Sequence, residues 1–178
     1  MFKTHIFEQG MALIDKLEAS ENSAQAKLKD LAENEGIVQL ISMLEKYSDM
    51  THKCFTNDVL FERYRSSAFE NFLNRDLGKF TMAEILAAYS DRLLKKGGIR
   101  ISENQHEEQM QLVIKLFTHL VDKDLFIEVY RNFLAKRLLN DKSESRDQEK
   151  TMISYIKMSC GPQFTKKLEG MLSDLSIA

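Results

Sequence analysis

The chain has 178 residues, 43% of them hydrophobic and 29% charged, with a formal net charge of -2. That length suits one domain with a sizeable core, or one domain plus the opening of another. The near-neutral balance argues against a nucleic-acid binder, which carries a basic excess or a basic face. A single proline and no tryptophan lean towards helix, because proline is excluded from helix interiors. The two cysteines, Cys54 and Cys160, lie far apart without a CxxC partner, as in a reducing compartment. No Asn-x-Ser/Thr sequon and no charged-then-apolar leader occur, and no apolar run approaches the ~20 residues a membrane-spanning helix needs. The reading is of an intracellular protein, cytoplasmic and nuclear, with no membrane and no nucleic acid among its partners.

Helical spacing runs along the whole chain. The stretch from Ala19 to Gly36 is polar and alanine-rich and reads as a loop or a poorly anchored helix. Ile37, Leu40, Ile41, Leu44 and Tyr47 then form an i, i+3, i+4, i+7 stripe, and Met82, Ile85, Leu86, Tyr89 and Leu93 form another. Two segments are apolar over a wider arc: Leu112, Val113, Ile114, Leu116, Phe117 and Leu120, then Leu125, Phe126, Val129, Tyr130, Phe133 and Leu134. Faces of that breadth predict helices sandwiched between neighbours. Phe164, Leu168, Met171, Leu172 and Leu175 make a last stripe, and strand-like alternation is not sustained anywhere.

The punctuation agrees with this. Thr81-x-x-Glu84, Ser102-x-x-Gln105 and Ser145-x-x-Gln148 read as capping boxes, in which each side chain satisfies an orphan backbone donor. Gly97-Gly98 ends a helix, and Cys160-Gly161-Pro162 is a stop followed by a start. The fold class expected is all-α: an elongated antiparallel helical bundle of about eight helices, with short connections implying antiparallel neighbours.

Candidate chemistry is thin. His106-Glu107-Glu108-Gln109-Met110 opens like the zinc-protease HExxH, but the second imidazole that the metal needs is replaced by Met110. His52 and Cys54 are two residues apart on a helix and face different sides, so Cys54 reads as a buried structural cysteine. Cys160 would be reactive only if the positive end of the next helix lowered its pKa. His5 and His119 are isolated. Lys95-Lys96 with Arg100, Lys136-Arg137 and Lys166-Lys167 sit near helix ends, where cations complement the helix dipole. The default for these pairs is a solvated structural role, with a protein contact possible at Lys136-Arg137 or Lys166-Lys167. No phosphate-binding glycine loop is present. The chain therefore reads as having no catalytic, cofactor-binding or metal-binding residue and no cofactor, with its partner-binding residues unassigned. An enzyme reading would have to rest on Cys160 or the scattered histidines.

One ordered set of blocks carries more. Asp122-Lys123-Asp124-Leu125-Phe126, Leu134-Ala135-Lys136-Arg137-Leu138-Leu139, Met152-Ile153-Ser154, Cys160-Gly161 and Phe164-Thr165-Lys166-Lys167-Leu168-Glu169-Gly170-Met171 together resemble the cullins. Earlier blocks extend the likeness: Phe2-Lys3-Thr4-His5-Ile6 with Gln9-Gly10, Cys54-Phe55-Thr56-Asn57 with the helix reaching Phe72, and Tyr89-Ser90-Asp91 with Leu93-Leu94-Lys95-Lys96-Gly97-Gly98. The pattern is most similar to the cullin class that scaffolds SCF-type ligases. The resemblance implies a cullin-repeat-like fold and a non-catalytic scaffold of a cullin-RING E3 ubiquitin ligase. Such a scaffold spaces a substrate adaptor from a RING-box subunit in ubiquitin-dependent protein degradation. It further implies that residues 1–160 are the last stalk repeat and residues 161–178 the first helix leading into the C-terminal cullin homology region. The adaptor site, the RING site and the lysine modified by Nedd8 are expected outside this chain, leaving an inert, monomeric helical piece. In that setting the apolar stripe from Phe164 to Leu175 would seek part of its partners beyond the chain. A free-standing helical interaction module is the rival reading.

Overall fold

In the computed structural model, which describes residues 1–21, 27–33, 35–56 and 58–177, the chain is all-α. Nine helices follow one another among the described residues: α1 (Phe2–Glu21), α2 (Leu28–Ala32), α3 (Glu35–Cys54), α4 (Val59–Leu73), α5 (Met82–Leu94), α6 (Glu103–Thr118), α7 (Lys123–Leu139), α8 (Arg146–Cys160) and α9 (Pro162–Ile177). The ninth is the short α2, inside the stretch read from the sequence as a loop or a poorly anchored helix. Residues 22–26 and 34 of that stretch, and Asn57, lie outside the described residues. The rest of the stretch is firmly placed. Leu31 and Ala32 are buried, and Arg92 on α5 donates through Nη1 to the Ala32 carbonyl at 3.3 Å.

The boundaries follow the local chemistry. Thr81 accepts from the Glu84 amide at 3.4 Å while Glu84 Oε2 accepts from the Thr81 amide at 2.7 Å, closing the box that starts α5. Ser102 and Gln105 repeat this at α6, at 3.4 and 3.1 Å. At α8 the box is only half made. Ser145 accepts from the Gln148 amide at 3.5 Å, but the Gln148 carboxamide oxygen is buried without a partner. Helix α5 ends at Leu94, with Lys95 already extended; Gly97 turns the loop beyond it at φ +73° and Gly161 separates α8 from α9 at φ +98°, conformations that glycine adopts without a Cβ clash.

Helix α5 is the centre. Every residue of it except Glu84 and Arg92 is buried, and it packs against α2, α6 and α7. The sequence stripe along α5 suggested a one-sided helix, and the wide arc along α7 suggested a sandwiched one. In the structure both are enclosed, α5 by α2, α6 and α7, and α7 between α5 and α9. Small side chains at Ala83, Ala87, Ala88 and Ser90 let neighbours close on the far side of α5. On α7 only Phe126, Tyr130, Leu134 and Arg137 are fully enclosed, with Leu125, Val129 and Phe133 half-buried at the edges. Each large apolar side chain enclosed in this way contributes about 1.5–3 kcal/mol relative to exposure.

The remaining helices are fastened around that centre. Helix α1 lies on α3 and α4, where a Cβ at Gly10 would strike the Phe72 ring, so glycine sets the α1–α4 approach. The Tyr47 hydroxyl donates to Gln9 Oε1 at 2.6 Å, and Arg75 reaches Asp15 at 2.5 Å and Glu18 at 3.0 Å. Asn74 joins α4 to the α6–α7 turn, donating to the His119 carbonyl at 2.9 Å and accepting from the Val121 amide at 2.8 Å. The α7–α8 connection returns to the end of α5 through an antiparallel bridge between Lys95 and Ser143, with Lys96 N–H donating to the Lys142 carbonyl at 2.8 Å and Glu144 N–H to the Leu94 carbonyl at 2.9 Å. Helix α9 seats Thr165, Leu168 and Leu172 against α7 and α8, while Phe164, Met171 and Leu175 stay half-buried. No helix of the structure is long and apolar enough to cross a membrane among the described residues.

Candidate functional site

The densest polar chemistry is inside the bundle. Arg137, in the last turn of α7, is 2% exposed. Its Nε and Nη2 donate to the two carboxylate oxygens of Glu149 at 2.8 and 2.9 Å, and its Nη1 donates to Asp91 Oδ1 at 2.7 Å. Asp91 comes from α5 and Glu149 from the start of α8, so one guanidinium fastens three helices. The Ser143 hydroxyl donates to Glu149 Oε1 at 2.9 Å, drawing the α7–α8 loop into the same network. The placement is electrostatically apt: a cation near the C-terminus of α7 and an anion near the N-terminus of α8 each complement a helix dipole.

This corrects the expectation for Lys136-Arg137. Lys136 is exposed, but Arg137 is neither solvated nor available to a protein partner. Burial alone would depress the Arg137 pKa; the hydrogen bonds and charge of Glu149, with Asp91 behind them, outweigh it and hold the guanidinium more strongly protonated than usual. Tyr130 lies beside it, with the guanidinium carbon 5.5 Å from the ring centroid. Burial, followed by the charge of Glu149, pushes the Tyr130 phenol well above its ordinary range, and its hydroxyl makes no well-formed hydrogen bond. The cluster is a clamp. Its guanidinium and both carboxylates are engaged in fixed pairs.

The other residues singled out in the sequence are scattered. Among the described residues no group of three His, Cys, Asp or Glu side chains could hold a metal ion. Cys54, expected to be buried, is exposed in the last turn of α3. Cys160 is half-buried with its thiol donating to the Ile156 carbonyl at 3.1 Å, and burial pushes its pKa up, the opposite of what a nucleophilic thiolate requires. His5 and His52 lie on the surface. His106, by contrast, is 6% exposed and its Nδ1 has no partner. Lys166 and Lys167 are exposed on α9. Nothing local marks the Arg137 cluster, because charge complementarity across 46 and 12 residues leaves no short-range pattern.

Residues 1–178 match the family described as the Cullin alpha solenoid domain. The chain is 36% identical over 182 aligned residues to "Cullin-1" of Oryza sativa subsp. japonica and to "Cullin-2" of Arabidopsis thaliana, covering all of this chain and 24% of each relative. It is 33% identical to "Cullin-3A" of Arabidopsis thaliana, over 97% of this chain and 22% of that protein. This chain belongs to the cullin family. It spans about a quarter of the length of the curated relatives it matches.

Arg137→Met leaves Asp91 and Glu149 buried without their cation and costs about 3–5 kcal/mol in urea unfolding, whereas the triple variant D91L/R137M/E149L recovers most of the loss. A cost below about 1 kcal/mol for R137M would mean the clamp is not the fastening proposed. His106 and His119 both have pKa values held below their ordinary 6.5, principally by burial; Glu144 opposes this at His106, and at His119 Glu70 opposes it while Arg65 and Lys123 add to it. The unfolded chain therefore binds more protons than the folded one as pH falls through 6.5. Stability is full above that pH and declines below it, while Arg137, whose shift is upward, adds no slope in this window. The urea midpoint should drop between about pH 7 and 5 in the wild type and drop less in H106Q/H119Q.

Proposed function

We propose that this chain is a rigid, non-catalytic scaffold segment of a multisubunit cullin-RING E3 ubiquitin ligase, spacing a substrate adaptor from a RING-box subunit. The observation that carries the reading is the match to the cullin alpha solenoid along the whole chain. The physical task of such a segment is positioning. A stiff spacer raises the effective concentration of the ubiquitin donor near the acceptor lysine, where a floppy one would dilute it. A fully buried central helix and an internal charge clamp suit that task, since close-packed cores transmit strain rather than absorb it.

Within this reading, residues 1–160 form the last stalk repeat and residues 161–178 the first helix of the C-terminal region. The left-handed Gly161 between α8 and α9 supports a boundary there. The other end supports continuation of a stalk. Phe2, Phe55 and Phe61 cluster there, with the last two rings stacked at 3.8 Å, and Val59 and Leu60 beside them are 65% and 51% exposed. An apolar patch of this kind fits against the end of a preceding helical repeat. The assignment to the class that scaffolds SCF-type ligases rests on the sequence resemblance described above.

The test is affinity capture from source-cell lysate with the full parent gene product and this chain as parallel baits. The parent is expected to recover a RING-box subunit and an adaptor, and this chain neither. Failure of the parent to recover either would overturn the ligase assignment and favour a free-standing interaction module.

A further inference from the structure

The long helices pack in two groups: α1 lies with α3 and α4, while α5 packs with α6 and α7, which carry α8 and α9. The chain crosses from one group to the other after α4, and Asn74 grips the crossing. This residue, which ends α4, donates through Nδ2 to the His119 carbonyl at 2.9 Å and to the Glu70 carbonyl at 2.8 Å. Its Oδ1 accepts from the Val121 amide at 2.8 Å. The half-buried His119 ring covers the same junction. It stacks on Phe69 of α4, with centroids 5.8 Å apart and planes at 25°, and Phe69 itself is fully buried. The charges facing this imidazole come from both sides: Glu70 and Arg65 on α4, and Lys123 at the start of α7. Lys123 Nζ is tied to the Leu120 carbonyl at 2.7 Å, and Arg65 Nε is buried with no hydrogen-bond partner. Two cations and one exposed carboxylate therefore surround the ring.

We propose that His119 is a pH-sensitive latch on this crossing: neutral, its ring holds the α6–α7 turn against α4; protonated, it leaves Phe69 and loosens that hold. The reason is the cost of a charge at this place. An imidazolium lying on Phe69 is desolvated and sits beside Arg65 and Lys123, with Glu70 opposing them. Its cation–π attraction for Phe69 is worth less than the hydration it gives up. Relief lies outward, where the charged ring pairs with the exposed Glu70 carboxylate and regains water, at the expense of the stack. Burial first, opposed by Glu70 and reinforced by Arg65 and Lys123, holds the imidazole pKa below its ordinary value. The open junction therefore binds the proton more readily than the closed one. The hold is complete above about pH 6.5 and is lost progressively below it. The Asn74 bonds are made to the backbone of the same turn, so the Val121 amide is freed with the ring. The Arg137 clamp lies on α5, α7 and α8 and is untouched by this opening. Nothing in this inference depends on the ligase assignment.

The test follows the Val121 amide by native-state hydrogen exchange and the His119 ring by NMR between about pH 7.5 and 5.5, with rates corrected for intrinsic exchange. A closed junction that excludes the imidazolium opens up to about tenfold more often at the acid end, the proton-binding ratio of a free histidine over that range. Val121 protection should fall severalfold, with a midpoint that tracks the His119 ring, while Leu86 in α5 stays better protected at every pH. H119Q should flatten the Val121 response to within about twofold, and H106Q should leave it in place. E70Q carries the test without touching the ring: removing the opposing carboxylate should move both the ring titration and the Val121 response to lower pH. The proposal is overturned if Val121 protection is independent of pH, if H119Q responds as the wild type does, if Val121 and Leu86 open at one free energy, or if E70Q moves neither signal.

Discussion

A guanidinium shut inside a helical bundle constrains everything packed around it. Arg137 cannot be left partly paired, because an uncompensated charge in the interior costs several kcal/mol. Asp91 and Glu149 must therefore stand within hydrogen-bond reach at all times, at 2.7 to 2.9 Å. That condition fixes the end of α7 against α5 and the start of α8 against both. The loop joining α7 to α8 is held as well, through Ser143 on Glu149 and the short bridge to Lys95. An apolar core tolerates small slides of one helix along another; a bidentate ion pair does not, since its geometry fails within about an ångström. The clamp thus contributes register more than net stability.

Around that fixed point the rest of the packing is ordinary hydrophobic burial organised by α5. Its small residues admit neighbours on every side, and its large ones, from Ile85 to Leu94, fill the space between them. Helices α1, α3 and α4 form the other part of the bundle, tied to the centre by contacts of α3 with α5 and α6 and by Asn74 at the α6–α7 turn. Membership of the cullin family places the chain among proteins whose matching domain is a helical solenoid.

Much of this was legible beforehand, for identifiable reasons. Capping at Thr81 and Ser102, the Gly161-Pro162 break and the stripe from Ile37 to Tyr47 are encoded within a few residues of themselves, so a local reading finds them. Ordered blocks such as Leu134-Ala135-Lys136-Arg137 gave the family. What the sequence did not disclose depends on contacts between distant residues. Arg137 looked like half of a solvated basic pair because its two acids are contributed by other helices. Cys54 looked like a core residue from the habits of its type, yet it sits where α3 leaves the bundle. The stretch around α2 read as either a loop or a poorly anchored helix, because its sequence is polar and alanine-rich and few of its residues, Leu31 and Ala32 among them, are buried. Gln148 satisfied the spacing of a capping box, but its carboxamide oxygen is buried without a partner and does not return to the cap.

The charge clamp ties α5, α7 and α8 into one unit, with α9 seated on it less completely. Native-state hydrogen exchange over a range of low denaturant concentrations tests this directly. Buried amides of α5, α7 and α8 should merge into one isotherm at the free energy of global unfolding, with α9 opening at lower free energy. Independent, lower-energy opening of α8, or exchange in α9 as slow as in α5, would contradict the account.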